Sequence, residues 1–392
     1  MRKTLFLLLF SLGVSNMYAQ DKHPVVFAMP VLTIVPDAKA AGMGDIGVAT
    51  QPGVNDQYWN VAKYILNDAS SGLSASYIPW LHNIGSANIN LMYLSGFYKI
   101  DRKQAIGVSL HYFSLGSMDF YDAGQQFIKK VNPNEFAIDA SYSRLLGAYF
   151  SAGVAFRYLR SDITGGAFID DDGIKIEPAN AWGADIGFYY NRPTHIQSYT
   201  ARIAAGLSIS NIGSKVNYNA DDPNRTPYFL PTILRLGGNL AFDMDSRNEF
   251  SFGLELSKYL IPTPPVRDNT TLEILEGKDD DVSGPMGMIQ SFYDAPGGFS
   301  EELREIMIGV GVQYTYLRTL SVRGGYHHDA IWPNQKYVTV GLGIAYKIYG
   351  FDVSYMIPVA SGLASPLANT LHISLSIDLS KIIKRKTSIE RY

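Results

Sequence analysis

Near its C-terminal end the chain reads NTLHISLSIDLS. Leu371, Ile373, Leu375, Ile377 and Leu379 alternate there with His372, Ser374, Ser376 and Asp378. Positions two apart share a face of a β-strand, so this stretch predicts a strand with one apolar and one polar side. In QAIGVSLHYF, Ile106, Val108, Leu110 and Tyr112 take turns with Gly107, Ser109, His111 and Phe113. The pattern recurs at 150–158, 182–190, 201–209, 234–242, 250–256, 306–316 and 338–346. Carried through the whole chain, it predicts fourteen strands: 72–79, 86–100, 104–115, 134–145, 149–161, 181–191, 200–211, 232–243, 248–260, 305–317, 319–327, 336–348, 350–358 and 368–380. The connections alternate as well. Those near 101, 145, 243, 317 and 347 are short, whereas 116–133, 162–180, 212–231 and 261–304 are long.

A soluble sandwich and a transmembrane barrel both alternate, and two further patterns separate them. Asp139, Arg157, Asp185, Arg202, Arg235, Glu255, Arg323, Asp352 and Asp378 all fall on the strand face that carries Ser and Gly. Aromatic residues sit at many strand ends: Tyr98, Tyr112, Tyr142, Tyr158, Tyr190, Phe242, Tyr259, Tyr316, Tyr326, Tyr346 and Tyr355. A sandwich has no use for such rings, whereas a barrel sets them as girdles at the two membrane interfaces. The expectation is an all-β, 14-stranded antiparallel transmembrane β-barrel with short periplasmic turns and long extracellular loops. Its inner face holds five acids against four arginines, and glycines such as Gly153, Gly206, Gly311 and Gly325. A selective channel lines its passage with one sign of charge. Balanced charge and bare backbone suggest a lumen filled by another segment.

Composition narrows the class. The opening MRKTLFLLLFSLGVSNMYAQ has a basic start, a short apolar run and Ala19 as a cleavage position, which together read as a secretory signal peptide over 1–19. With 33 basic and 36 acidic residues and no cysteine, nothing points to nucleic acid, disulfides or thiol chemistry. Residues 20–71 precede the first strand and are the candidate plug. They contain Gly42, Gly44 and Gly47 in the spacing of a dinucleotide-binding turn. That turn needs a strand before it and a βαβ unit around it. Here the lead is DAKAA, with Asp37 as an N-cap, so the glycines are read as permitting close packing against the barrel wall.

The stretch AKAAGMGDIGVATQ, followed by NDQYWNVAKYI, resembles the N-terminal hatch of FadL-type outer-membrane proteins. Gly42, Met43, Gly44, Gly47, Trp59 and Asn60 carry the likeness, and Val61 departs from it where the pattern has proline. Within that group the chain is most similar to the PorV family of the Bacteroidetes type IX secretion system. The resemblance implies an outer-membrane shuttle with no catalytic residues and no cofactor. Its implied partners are a SprA/Sov-type translocon, cargo C-terminal signal domains, a PorU-type sortase with its attachment complex, and lipopolysaccharide. A FadL-like conduit for apolar small molecules is the alternative reading, and a lipid A deacylase a distant third.

Three other stretches carry residue types suited to chemistry or to partner contact. His327, His328 and Asp329 are placed in an outer loop, where adjacent histidines leave on opposite faces. The runs DDDG at 170–173 and DDD at 279–281 lack the alternating ligands and closing Glu of a calcium loop. The connection 261–304 is long and without a strand of its own, which reads as either a functional or a disordered segment. Its apolar residues Leu272, Ile274, Met286, Met288, Ile289, Phe292 and Tyr293 are candidates for a protein contact. The basic tail 381–392 is read as solvated on the periplasmic side.

Overall fold

The computed structural model describes residues 23–79, 89–121, 126–163, 177–218, 227–268, 270–330, 336–359, 370–380 and 382. The expected signal peptide, the DDDG run and all of the tail but Ile382 lie outside these residues. Fourteen strands pair with their neighbours in chain order, all antiparallel, and the first pairs with the last to close a barrel. They are β1 (Ser71–Pro79), β2 (Asn90–Lys99), β3 (Gln104–Ser114), β4 (Asn134–Leu145), β5 (Phe150–Asp162), β6 (Ala179–Ile196) and β7 (Tyr199–Gly213). The second half is β8 (Ile233–Asp243), β9 (Asn248–Tyr259), β10 (Met307–Tyr316), β11 (Leu320–His328), β12 (Lys336–Tyr346), β13 (Tyr349–Pro358) and β14 (Leu371–Asp378). At the seam, Leu73 faces Ile377 and Ser76 faces Ser374.

Alternation decides which way each side chain points. On β5, Phe156 is 57% exposed while its neighbour Arg157 is 3% exposed. The same holds around the ring, with Val108, Ile138, Leu236 and Leu342 outside and Ser109, Asp139, Arg235 and Thr339 inside. Lipid tails solvate the first set. Moving an arginine to that face near the midplane costs about 2–4 kcal/mol.

Several details depart from the sequence expectation. Strands β6 and β7 run to 18 and 15 residues, so their hairpin projects past the neighbouring short turns. The connection 116–133 contains a hairpin of Met118–Tyr121 with Phe127–Val131. The connection 261–304 was expected to lack any strand, yet Val266–Arg267 pairs with Ile274–Glu276, and helices span Gly284–Gln290 and Phe299–Arg304. Tyr259 belongs to no outer girdle. It lies four residues from Glu255, so period two sends it inward, where its ring meets Phe27 at 5.3 Å. His327 and His328 end β11 rather than sit in a loop.

Candidate functional site

Residues before β1 run against the inward-facing side chains of the strands. Pro30–Thr33 and Val61–Leu66 are 3-10 turns, and Ala38–Ala41 and Asp56–Trp59 are single helical turns. Asp37 caps the first of these helical turns by accepting from Ala40 N at 2.8 Å. Its other oxygen accepts from Trp59 Nε1 at 2.7 Å, which ties the two ends of the segment together. Asn60 caps the turn that follows, accepting from Ala62 N at 3.2 Å. Val61 therefore takes the first helical position, where the family pattern has its proline. Lys63, 1% exposed, donates to Asp56 at 2.6 Å and to the Gly47 carbonyl at 2.8 Å.

The strands meet this segment with polar side chains. Ser374 Oγ accepts from Ala38 N at 3.0 Å, and Thr339 Oγ1 accepts from Gly44 N at 2.9 Å. Glu255 Oε2 accepts from Gly47 N and Val48 N at 2.8 and 2.9 Å. Ser141 donates to Gln57 at 2.6 Å, and Ser151 to the Ala62 carbonyl at 2.7 Å. Backbone amides that would otherwise be buried without partners are thus satisfied by the wall. Between these bonds the wall is bare: a Cβ on Gly206, Gly311 or Gly325 would overlap the backbone of Val48, Met43 or Gly44 respectively.

The three motif glycines each have a steric reason. Gly42 abuts the Cα of Gly341, and a Cβ on Gly47 would enter the Trp59 indole. Gly44 adopts φ +74° against the backbone of Val310 and Tyr326, a conformation that side chains rarely take. The spacing serves packing.

Most of the inward charges fall into three groups. Arg157 bridges Asp139 at 2.5 Å and Asp185 at 3.0 Å, all three buried. Arg235 Nε lies 3.7 Å from Glu255, and its guanidinium sits over the Tyr58 and Trp59 rings at 5.3 and 5.4 Å. Arg323 joins Asp352 at 2.6 Å and Gln313 at 2.7 Å. Arg202 pairs with Glu249 at 2.7 Å near the short-turn rim, and Asp378 accepts from Ser380 N at 3.0 Å where β14 ends. The Asp56–Lys63 pair and Gln57 escaped the sequence reading. Their only trace there is an acid seven residues before a lysine.

Two cavities flank the segment. One, of about 420 Å³, faces the short turns and is lined by Lys39, Gln51, Glu249 and Arg323 among others. The other, of about 400 Å³, faces the long loops and is lined mainly by apolar groups, including Val31, Ile34, Phe113, Met307 and Met356. Trp59 borders both. His327 lines the second cavity, its ring stacked 4.9 Å from Tyr337, whereas His328 turns outward beside Tyr326. Among the described residues no cluster of His, Asp or Glu could hold a metal ion.

The long connection between β9 and β10 is fastened at its base. Lys258 pairs with Glu302 at 3.1 Å and with Glu305, and Thr263 donates to Glu305 at 2.7 Å. Its acids 279–281 are engaged by Arg267 and Lys215. The helix Gly284–Gln290 packs Gly287 against the Phe229 ring, and Phe229 pairs in turn with Phe27 of the N-terminal segment. Leu272, Ile274, Met286, Ile289, Phe292 and Tyr293 are exposed, and Met288 is half-buried. Phe299, 76% exposed, and Leu303 are further exposed apolar residues of this connection, beyond those expected from the sequence.

Asp294 lies in this base. Loss of solvent, with Glu302 and Glu305 nearby, pushes its carboxyl from the usual 3.8 up to about 7. A carboxyl raised on folding favours the folded loop below its unfolded value, and that contribution is lost as pH rises through about 7. Amides of 284–305 should therefore exchange faster at pH 8.5 than at pH 5.5 after correction for intrinsic rates. Asp294→Asn should flatten the difference. Equal protection at both pH values in the unaltered chain would contradict the assignment.

A closed fourteen-stranded barrel with an apolar outer face and polar inner face belongs to the outer-membrane class. Among solved structures, it is similar to the Ralstonia pickettii toluene transporter TbuX at 10% identity and TM-score 0.45, covering 87% of this chain and 96% of that one. The Pseudomonas putida toluene transporter TodX aligns at 11% identity and TM-score 0.45, over 91% and 98%. A Pseudomonas aeruginosa FadL homologue aligns at 11% and 0.44, over 88% and 98%. No curated protein matches the chain at a significant level. A family model does: over residues 17–266 the chain matches the type IX secretion system protein PorV, and it belongs to that family. It is thus an outer-membrane component of type IX secretion.

Proposed function

We propose that this chain receives secreted proteins by their C-terminal signal domains from a SprA/Sov-type translocon and presents them to a PorU-type sortase. In this reading the long connections are extracellular, residues 20–71 act as a plug, and the barrel itself is a delivery platform without a catalytic role. The observation that supports the reading most is the apolar surface on the 261–304 connection. Its side chains stand exposed while its base is fixed by the Lys258 pairs. Exposed apolar side chains on a fixed base suit a protein partner. Deleting residues 284–295 should leave an inserted, heat-modifiable barrel that no longer co-purifies with the translocon. Retained co-purification would defeat the role given to this loop.

A second reading, a conduit for apolar small molecules, draws on the apolar cavity of about 400 Å³ beside Trp59. Loss of the gene distinguishes the two. A shuttle's loss leaves secreted proteins with uncleaved C-terminal signals, and a conduit's loss abolishes uptake of one apolar nutrient.

A further inference from the structure

The connection 261–304 gathers negative charge. It holds nine acids against three bases, Arg267, Lys278 and Arg304, whereas the whole chain has a net charge of only -3. Part of that excess lines a groove of about 980 Å³, which the connection forms with residues 217–229 and Val26 of the N-terminal segment.

The groove mixes two chemistries. Val26, Tyr228 and Leu272 line it and are 57, 48 and 67% exposed, and the Tyr218 ring meets Tyr228 edge-on at 6.4 Å. Asp279, Asp280 and Asp281 supply the polar wall. Arg267 reaches Asp279 and Asp280, and Lys215 reaches Asp281, so two cations meet three carboxylates. These pairs engage one oxygen of each acid, Oδ1. Among the described residues nothing bonds Oδ2 of Asp280 or Asp281. The chain itself shows what such walls hold. Lys215 Nζ lies 4.4 Å over the Phe229 ring while it donates to Asp281 Oδ1 at 3.2 Å. Tyr228, the neighbouring ring, carries no cation among the described residues.

We propose that this groove binds an extended segment of a protein partner through a Lys or Arg side chain. The cation lies over the Tyr228 ring and donates to the open oxygens of Asp280 and Asp281, and apolar neighbours in the segment rest on Val26 and Leu272. A cation is attracted to the face of an aromatic ring, and its bonds to carboxylate are stronger than those between neutral groups. The acid excess of the connection draws a basic partner in and turns phosphate-bearing molecules away. The groove includes none of residues 284–295, so the inference stands apart from the docking role proposed for them.

Fluorescence polarisation on the full chain in neutral detergent tests it. The probe is a labelled, end-blocked peptide of alternating Val and Lys, and the comparison is one of alternating Val and Glu. The lysine peptide should bind, more weakly as salt is added, and the glutamate peptide should not. D280N/D281N should weaken binding about tenfold, and Tyr228→Leu about threefold. Asp119→Asn, on the hairpin of a different long connection, should leave it unchanged. Equal binding of the two peptides overturns the proposal, as does an unaltered affinity in D280N/D281N. An equal loss in Asp119→Asn also overturns it, by indicating diffuse surface charge. So does displacement of the peptide by free N-acetyl-lysine amide at equal concentration, which would show a site for single cations.

Discussion

A valine at Gly206 is expected to drive the N-terminal segment off the barrel wall. A Cβ there overlaps the Val48 carbonyl, and Val48 is also anchored through its amide to Glu255. Backbone contacts cannot give way as a side chain does, so overpacking here should cost at least about 1–3 kcal/mol. The expected signs are new tryptic cleavage at Lys63, which is buried in the native protein, and a rise in conductance across a planar bilayer. Gly238 provides the control on the adjacent strand β8. A Cβ there meets nothing closer than the Ala204 carbonyl at 3.9 Å, so Gly238→Val should change neither readout. Resistance to trypsin and unchanged conductance in Gly206→Val would show that the segment can shift without leaving.

Replacing Arg157 with leucine should be the most destabilising single change in the wall. Asp139 and Asp185 would stay buried without their shared partner, and removing one member of such a cluster costs about 3–5 kcal/mol. The urea midpoint of the detergent-refolded barrel, followed by its heat-modifiable mobility, reports the loss. Adding Asp139→Asn and Asp185→Asn to Arg157→Leu should restore most of it, because the cost comes from uncompensated charge. A triple variant as weak as the single one would place the cost in packing instead.

How far the fold could be read from the sequence follows from the two environments of the wall. Lipid on one side and a polar interior on the other force alternation on every strand, so all fourteen strands were legible. The signal fades where the environments end. Residues Arg192–Ile196 of β6 lie beyond the neighbouring turns, and Pro193 there removes a ladder donor, so the true strand end was invisible. Tyr259 shares parity with Glu255 and so points inward, but an aromatic ring at a strand end invites the girdle reading. Asp56 and Lys63 meet only through the folding of the segment, a tertiary pairing no spacing rule encodes. The short helices at Gly284–Gln290 and Phe299–Arg304 are too brief for periodicity to register.

The bonds from Ser374 and Ser151 to opposite stretches of residues 38–62 constrain the order of biogenesis. Ser374 sits on the last strand, beside the seam it makes with Ser76 of the first. A closed ring offers no lateral door for a chain to slip through and dress its amides one by one against the staves. On the proposed reading of residues 20–71 as a plug, those residues would gather before the ring closes, and the final hydrogen bonds of closure would also be those that fasten the plug. On that reading, insertion machinery would handle a vessel that is filled as it is sealed.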